Sequence, residues 1–475
     1  MASLDYLASC LAFPWQQWAK QRPDAIALIR DQQAISWQQL VDEINALSAI
    51  FYRAGVRSSN GVALRGKNSP ELLLAYLAAL QLGARVLPLN PQLPVALQVQ
   101  LFPLLNIDYG WCAQQSDWAA DVTPLPEFVI EDLTADTVSA TAFIAPFLAP
   151  DFAQQALTMT LTSGSSGLPK AAVHRPQAHL ANARGLLQRM SFEAGDSWLL
   201  SLPLFHVSGQ GVLWRWLLKG ATLVQRNMNP LAEALNGCTH ASLVPTQLWR
   251  LLEQSATNLT LKQVLLGGAA IPVELTERAQ QAGICCWCGY GMTEMASTAC
   301  AKPADATAGV GVPLPERELR IVEQEIWLRG SGQALGYWLQ GEIHPLADEH
   351  GWFHTRDRGE LRDGELYIFG RMDNLFFSGG EGIQPEDIER VLINHPLIEQ
   401  VFVVPRDDKE FGQRPVAVID ASPALDFNQL SVWLAGKIAR FQIPDAYYLL
   451  PEHLKQGGIK VSRLAVKEWV EQQGD

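Results

Sequence analysis

The sequence has few cysteines, no long uninterrupted apolar run, and fewer basic than acidic residues. Seven cysteines in 475 residues are too few for a disulfide framework and suit a reducing compartment. The most apolar long stretch, residues 71–89, is broken by Gln81, Gly83 and Arg85, which argues against a membrane span. The net charge of −13 argues against nucleic acid or an anionic membrane as the main partner. We therefore expect a cytoplasmic protein without membrane insertion, in which a local basic pocket can still bind a small anion.

Two cysteine-containing segments each suggest a function that neighbouring residues argue against. Residues 7–10 look like a lipoprotein cleavage site, but the preceding segment is short, contains Asp5 and has no basic residue, so we do not expect export. Residues 285–288 contain three cysteines. No histidine or second cysteine pair stands at metal-ligand spacing nearby, so we predict a buried strand with small apolar thiols rather than a metal site.

Short apolar runs alternate with amphipathic helical patterns over the first three quarters of the chain. Residues 61–66 and 85–90 predict strands, and between them Ser69 and Pro70 have the residue types of an N-cap and a first helical position. A strand–helix–strand unit favours a parallel sheet covered by helices. We predict an α/β fold whose large N-terminal domain has parallel or mixed sheets covered by helices.

The pattern changes near residue 370, where a small mobile α+β domain is predicted to begin. We place the boundary within residues 371–374, which gives an N-terminal domain over 1–372 and a C-terminal domain over 373–475. The predicted elements of the second domain are a helix whose first turn contains Pro385, strands at 400–406 and 414–420, and a helix over 428–441.

Residues 161–170, with the sequence LTSGSSGLPK, have the composition of a loop that wraps an anion. Glycines permit close backbone approach, hydroxyls can donate to phosphate oxygens, and a lysine adds a positive charge. The loop is not a Walker motif, because Pro169 replaces its second glycine and Ala171 follows the lysine. Composition alone leaves phosphate binding and a flexible surface turn equally open. The candidate residues are Thr162, Ser163, Gly164, Ser165, Ser166, Gly167 and Lys170.

Seven segments, in order, resemble the motifs of the adenylate-forming superfamily of acyl-CoA synthetases, adenylation domains and firefly luciferase. They are TSGSSGLPK at 162–170, GGAA at 267–270, GYGMTE at 289–294, GYW at 336–338, TRDRGE at 355–360, GRMDN at 370–374 and GGIKVSR at 457–463. The first 150 residues are similar mainly in length and pattern. The resemblance implies that a carboxylate attacks the α-phosphate of ATP, and that the thiol of CoA then displaces AMP to give a thioester.

The resemblance also assigns catalytic roles. The loop at 162–170 would hold the β- and γ-phosphates of ATP, and Glu294 would hold Mg²⁺, a hard cation that favours carboxylate oxygen. Thr293 would donate to a phosphoryl oxygen. Lys460 would stabilise the charge that concentrates between the reacting carboxylate and the α-phosphate. Asp373 is the implied hinge, about which the C-terminal domain rotates between the two half-reactions.

Adenosine binding is assigned in the same way. Asp357 could accept from both ribose hydroxyls at once, and Arg371 would help to fix the ribose. Small residues would let adenine lie against the backbone, with a tyrosine stacked on it. The residues implied for this part are Gly268, Ala269, Ala270, Tyr290 and Gly291.

Residues 200–220 are expected to line the acyl pocket. In the amino-acid-activating branch an aspartate follows the phenylalanine and binds the substrate amine, whereas here His206 occupies that place. We interpret His206 as a gate on the path of the carboxylate, the alternative being a buried structural histidine. Arg215 lies in an otherwise apolar helix and is either a surface arginine over a tryptophan or the counter-ion of a second substrate carboxylate. Further candidates for substrate binding are Ser208, Gln210, Gly291 and Met292.

The segments at 160–174, 200–211 and 239–252 resemble acyl-CoA ligases that act on an aromatic keto acid with two carboxylates. The expected ligands are therefore a small aromatic diacid, ATP, Mg²⁺ and CoA, with no nucleic acid and possible assembly into a homo-oligomer. Three alternatives stay open: a ligase for another aryl or acyl acid, an adenylation enzyme that loads a carrier protein, and a non-catalytic nucleotide-binding relative. The presence of Glu294 and Lys460 argues against the last.

Overall fold

The computed structural model describes residues 13–113, 118, 121–133, 157–162, 168–254, 260–455 and 461–473. Within these ranges helices and strands alternate along the first half of the chain. The helices are α1 Pro14–Gln21, α2 Trp37–Arg53, α3 Pro70–Gln81, α4 Val95–Leu105, α5 Pro176–Leu187, α6 Val207–Lys219, α7 Leu231–Ala234, α8 Pro245–Glu253, α9 Val273–Gln281, α10 Pro385–Leu392, α11 Leu430–Leu434, α12 Glu452–Lys455 and α13 Arg463–Gln472. None of the helices described is both long and apolar enough to cross a membrane.

Two large sheets form the N-terminal part of the molecule. The nine-stranded sheet has the order β15 Val312–Pro313, β14 Ser297–Pro303, β13 Cys285–Met292, β12 Gln263–Leu266, β11 His240–Leu243, β9 Ser197–Leu199, β10 Thr222–Gln225, β1 Ile26–Arg30 and β2 Gln33–Ser36. The eight-stranded sheet has the order β19 Glu342–His344, β18 Gly336–Leu339, β8 Lys170–His174, β7 Leu157–Thr162, β4 Arg85–Leu89, β3 Gly61–Arg65, β5 Ile107–Cys112 and β6 Thr123–Pro124.

Three smaller sheets complete the fold. A four-stranded sheet has the order β16 Arg317–Val322, β17 Glu325–Gly330, β20 Phe353–Arg362 and β21 Glu365–Arg371. The C-terminal part contains a pair, β22 Phe376–Ser378 and β23 Glu381–Ile383, and a three-stranded sheet, β24 Ile398–Asp408, β25 Gly412–Ala421 and β26 Ala446–Leu449.

The centres of both large sheets are parallel, and antiparallel strands lie toward their edges. In the first sheet β1, β10, β9, β11, β12 and β13 are parallel, and β14 turns back along β13. The predicted unit at 61–90 is β3, α3 and β4, with Gly61 opposite Arg85 in parallel register. The Ser69 hydroxyl accepts a hydrogen bond from the amide of Leu72 at 3.1 Å and so caps α3. The α/β fold and its large sheet domain are confirmed.

The helix α6 runs through the main core of the N-terminal part and presents almost no surface to solvent. The ring of Trp216 stacks on that of Trp37 at 5.3 Å, and the ring of Trp214 stacks on that of His179 at the same separation. Gly220 ends the helix in a left-handed conformation, with φ of 58°. Because α6 is enclosed, the one charged side chain in its middle is enclosed as well.

Two local predictions need correction. The helix expected over 428–441 is only α11, because Gly436 has φ of 77°, a left-handed conformation that ends helical structure. The three cysteines at 285–288 lie on β13 as predicted, and Cys286 and Cys288 are buried. Cys285 is exposed because it stands at the start of the strand.

Candidate active site

The glycine- and serine-rich loop connects the antiparallel strands β7 and β8. Thr162 pairs with Lys170 at the end of this hairpin, so the loop lies between them at the end of β7. Lys170 is exposed and Thr162 is half-buried. Ser163, Gly164, Ser165, Ser166 and Gly167 lie outside the described residues, as does Lys460. The phosphate-binding role of the loop stays a prediction.

Glu294 lies where the two large sheets meet. It follows β13 on a short turn, Thr293–Met295, and its carbonyl accepts a hydrogen bond from the amide of Ala334 at 2.8 Å. The next amide, of Leu335, donates to the carbonyl of Val173 in β8, also at 2.8 Å. These two consecutive amides therefore connect the turn that carries Glu294, at the end of the nine-stranded sheet, to β8 of the eight-stranded sheet. This connection fixes Glu294 relative to the β7–β8 hairpin.

Tyr337 joins three of the sequence motifs. Its hydroxyl donates to Oε1 of Glu294 at 2.9 Å, and Nζ of Lys170 lies 5.1 Å from the centre of its ring. Burial raises the pKa of the Tyr337 phenol, and the neighbouring Glu294 carboxylate raises it further, so the hydroxyl stays protonated and donates. The sequence marked Tyr337 only as part of the GYW motif and assigned it no role, since its partner lies 43 residues away.

The carboxylate of Glu294 fits a magnesium site. One oxygen accepts the Tyr337 hydroxyl, and no hydrogen bond reaches the other oxygen from the residues that the structure describes. Mg²⁺ in nucleotide sites is usually bound by one or two carboxylates, with phosphate oxygens and waters completing the octahedron. A single half-buried carboxylate with one oxygen available is such a donor.

Asp357 and its partners form a second cluster. Its carboxylate accepts from the Tyr290 hydroxyl at 2.6 Å and from Nη1 of Arg371 at 3.1 Å, through different oxygens. Asp357 and Arg371 are also opposite each other in the register of β20 and β21. Burial, then the adjacent carboxylate, raises the pKa of Tyr290, so the phenol is a neutral donor. The structure brings these three predicted adenosine residues together, while their contacts with a nucleotide stay a prediction.

The small residues predicted to lie against adenine directly follow β12. Gly268 has φ of 81°, so glycine suits this turn, and Ala269 and Ala270 are exposed. Because β12 is parallel to β13, with Leu266 opposite Cys288, this turn lies beside the last residues of β13, which include Tyr290. Ligands of open α/β sheets generally bind at the carboxyl edge.

Arg215 is a buried cation. It is 1% exposed, Nη1 donates to the Ser242 hydroxyl at 3.4 Å, and Nη2 donates to the Thr298 hydroxyl at 3.3 Å. The guanidinium carbon lies 5.3 Å from the ring centre of Trp198, and Nε has no hydrogen-bond partner among the residues that the structure describes. No carboxylate of the described chain pairs with it. Burial lowers the pKa of Arg215 to about 9, which leaves the group charged at neutral pH.

These contacts decide between the two interpretations of Arg215. A surface arginine over a tryptophan is wrong, because the side chain is enclosed although it does lie near Trp198. Neutral hydroxyls and a π-face stabilise a buried guanidinium less than an anion does. The geometry therefore favours an anion supplied from outside the chain.

The other predicted acyl-pocket residues differ in burial. His206 is the N-cap of α6, is half-buried, and its ring lies 4.7 Å from that of Phe205. Ser208 and Met292 are also half-buried, whereas Gly291 is exposed. A Cβ on Gly291 would lie 1.9 Å from the carbonyl oxygen of Ser297, so a side chain does not fit there.

Gln210 is fully buried and already bonded within the protein. Its amide nitrogen donates to the Thr160 hydroxyl at 2.9 Å and to the carbonyl of Leu204 at 3.0 Å. Its oxygen accepts from the Tyr76 hydroxyl at 3.4 Å. In this structure Gln210 connects α6 to β7 and α3, and direct contact with a substrate stays a prediction.

Asp373 is held by two arginines. Its carboxylate accepts from Nη2 of Arg356 at 3.0 Å and from Nη2 of Arg371 at 3.1 Å, on a short turn over Met372–Asn374. The sequence motif indicated the turn but gave no sign of Arg356, because its pairing with Asp373 depends on the close approach of β20. The role of Asp373 as a hinge stays a prediction.

Comparison with known protein families agrees with this geometry. Residues 15–338 match the family described as AMP-binding enzyme, and residues 387–457 match the AMP-binding enzyme C-terminal domain. The chain belongs to the AMP-binding enzyme family. The two matched ranges fall on either side of the turn that contains Asp373, although neither fixes the boundary itself.

Relatives within the family are similar over nearly the whole chain. A 2-succinylbenzoate–CoA ligase of Salmonella typhimurium is 54% identical over 96% of this chain and 98% of its own length. The enzyme of that name from Escherichia coli is 52% identical over 97% of this chain and 99% of its own. The structure of an Escherichia coli MenE variant with bound OSB-AMS is 50% identical, has a TM-score of 0.88, and is matched over 98% of this chain and 99% of its own.

We predict that Tyr337→Phe raises the Mg²⁺ concentration needed for half-maximal ATP binding by about tenfold. The ring remains beside Lys170, and only the hydrogen bond to the Glu294 carboxylate is lost, a loss of about 1.5 kcal/mol. Calorimetric titration of ATP at varied Mg²⁺ measures the change. Tyr447→Phe is the control, because it removes a hydroxyl that contacts Ser431 in the C-terminal part. An unchanged Mg²⁺ requirement in Tyr337→Phe would show that the tyrosine does not orient Glu294.

Proposed function

We propose that this protein is an AMP-forming ligase that adenylates o-succinylbenzoate with ATP and transfers the acyl group to CoA. The products are o-succinylbenzoyl-CoA, AMP and pyrophosphate, and the reaction belongs to menaquinone biosynthesis. The observation that carries the proposal is the buried guanidinium of Arg215, which has no carboxylate partner in the described chain. High identity to 2-succinylbenzoate–CoA ligases over nearly full length supports the same substrate. A cytoplasmic location, where ATP and CoA are present, is part of the proposal.

The substrate's two carboxylates have different fates in this proposal. One attacks the α-phosphorus of ATP, the bond to the β-phosphate breaks, and pyrophosphate leaves. The other stays ionised against Arg215, with Ser242 and Thr298 holding the guanidinium in position. Without substrate, the buried guanidinium of Arg215 is stabilised by two hydroxyls and an aromatic ring. With substrate, it would form a charge-assisted hydrogen bond to the second carboxylate.

The nucleotide is held by the two clusters described above. Bound Mg²⁺ would neutralise phosphate charge beside Glu294, and Tyr337 orients that carboxylate. Thr162, Thr293 and Lys170 add donors around the phosphates. In this proposal Asp357 accepts from the ribose hydroxyls beside its bonds to Tyr290 and Arg371.

The second half-reaction forms a thioester. The thiolate of CoA attacks the acyl carbon, the bond to the adenylate oxygen breaks, and AMP leaves with that oxygen. In this proposal the C-terminal domain turns about Asp373 after adenylation, which withdraws Lys460 and admits the thiol. A pyrophosphate-release assay over aryl and alkyl acids, with CoA or a carrier protein as acceptor, tests the whole assignment. Release that does not respond to o-succinylbenzoate would contradict it.

We predict that Arg215→Ala raises the Michaelis constant for o-succinylbenzoate by about one to two factors of ten. A hydrogen bond to a charged group contributes about 1.5–3 kcal/mol. The constants for ATP and for monocarboxylic analogues should change little, because neither uses the arginine. Arg215→Lys keeps a positive charge and should recover part of the loss. An equal effect on diacid and monoacid would make Arg215 a packing residue.

We predict that Lys460→Ala slows adenylate formation by about two to three orders of magnitude, the usual cost of losing one preorganised donor. Acyl-adenylate supplied to the variant should still react with CoA, because the lysine acts only in the first half-reaction. Pyrophosphate release and thioester formation are measured separately. Equal losses in both would refute this role.

We predict that Asp373→Pro preserves pyrophosphate release and slows thioester formation, because proline fixes φ at the pivot. The substitution also removes the ion pairs with Arg356 and Arg371. Asp373→Asn is therefore the matched control, since it weakens the ion pairs and leaves the backbone free. If both variants slow thioester formation alike, the arginine pairs matter rather than rotation about residue 373.

A further inference from the structure

Two consecutive non-glycine residues between Glu294 and Thr298 adopt left-handed backbone conformations. Ala296 has φ of 55° and Ser297 has φ of 112°. Such conformations cost free energy for residues with a Cβ and persist where surrounding contacts hold them. The crowding extends to Gly291 on the paired strand, where any Cβ would collide with the Ser297 carbonyl.

One side chain spans this strained pair. Asn182, on α5, is 1% exposed, and its amide nitrogen donates to the carbonyls of Met295 and Thr298, both at 2.8 Å. Both amide hydrogens are therefore used, one on each side of Ala296 and Ser297. The amide oxygen of Asn182 is buried and accepts no hydrogen bond from the described part of the chain, so the side chain acts here as a donor.

The two bonded residues belong to different ends of the site. Met295 ends the short turn that carries Glu294, the carboxylate that would hold Mg²⁺ in the proposed function. Thr298 is the second residue of β14, and its hydroxyl accepts a hydrogen bond from Arg215 at 3.3 Å. A shift of the backbone at residues 296 and 297 would therefore move the carboxylate of Glu294 on one side and the hydroxyl of Thr298 on the other.

We propose that Asn182 is a positioning residue that sets the metal-binding carboxylate and the diacid-binding arginine in their relative geometry. The inference rests on the proposed function for the identity of the two ligands. Asn182 contacts neither ligand and acts through the backbone of residues 295–298. Its loss should let the strained pair relax, which displaces Glu294 and Thr298 together.

The test is calorimetric binding to Asn182→Ala and Asn182→Asp in the full-length protein. The aspartate has nearly the shape of asparagine, but even when protonated it has a single hydrogen to donate, so at least one of the two carbonyls loses its bond. The titrants are o-succinylbenzoate alone and the non-hydrolysable analogue α,β-methylene-ATP at varied Mg²⁺. We expect both the dissociation constant for the diacid and the Mg²⁺ requirement of the nucleotide to rise by about tenfold, as for the loss of one strong hydrogen bond.

Gln98→Ala is the matched control. Gln98, on α4, is also fully buried, its amide donates to the carbonyl of Leu93 at 3.0 Å, and it is not one of the predicted site residues. It should lower the melting temperature without changing either binding constant. If Asn182→Ala does not fold, Asn182→Asp decides the question.

A folded Asn182 variant with both constants unchanged would overturn the proposal, and so would a change in only one of them. If the wild-type protein does not bind o-succinylbenzoate, the proposed function fails. Asn182 is then judged on the Mg²⁺–nucleotide titration alone, where an unchanged requirement overturns its positioning role.

Discussion

A positive charge lies buried in the N-terminal core with no carboxylate of the described chain to balance it. Placing Arg215 there is costly, because desolvation of an ion is only partly offset by hydroxyls and an aromatic face. The enclosed helix α6 holds the guanidinium in place through tryptophans that stack on either side of the core. In the proposed function an anionic group of the substrate would offset that cost, so the same buried charge that destabilises the free protein would favour a diacid over a monoacid.

The joint between the two large sheets gives the site its second fixed point. The amide of residue 334 donates to the turn of Glu294, which belongs to the nine-stranded sheet. The amide of residue 335 donates to β8, which belongs to the eight-stranded sheet. Tyr337, two residues further on, adds a side-chain bond to the same carboxylate. Glu294 and the β7–β8 hairpin therefore keep one relative position although they belong to different sheets.

Much of this could be predicted from the sequence, because local patterns and motif residues carry their own signals. The capped helix after Ser69 and the alternation of strands and helices follow from short segments. The resemblance of motifs grouped Asp357, Tyr290 and Arg371 around one ligand, but their mutual hydrogen bonds are seen only in the structure. Supporting residues carry no such signal. Asn182 bonds carbonyls 113 and 116 residues away, and only the folded chain shows that pairing.

The helix predicted over 428–441 is shorter in the structure, also for a physical reason. The apolar pattern over 428–441 is helical in period, yet Gly436 adopts a left-handed conformation that the pattern does not reveal. Gln210 has a polar side chain in a motif expected to face the substrate, and the structure shows three protein groups bonded to its amide, while its contact with a substrate stays a prediction. In both cases backbone angles or tertiary contacts, rather than residue type, determine the local structure.

Arg371 has a consequence that reaches beyond its own contacts. Its guanidinium is shared by two carboxylates, that of Asp357 in the adenosine cluster and that of Asp373 at the turn between the domains. One cation that serves two anions makes their environments interdependent: whatever draws it toward one leaves the other less neutralised. In the proposed function Asp357 binds the ribose and Asp373 is the hinge, so reciprocity would make nucleotide affinity and the preferred domain arrangement shift each other by the same factor. A single arginine side chain would then couple the two events.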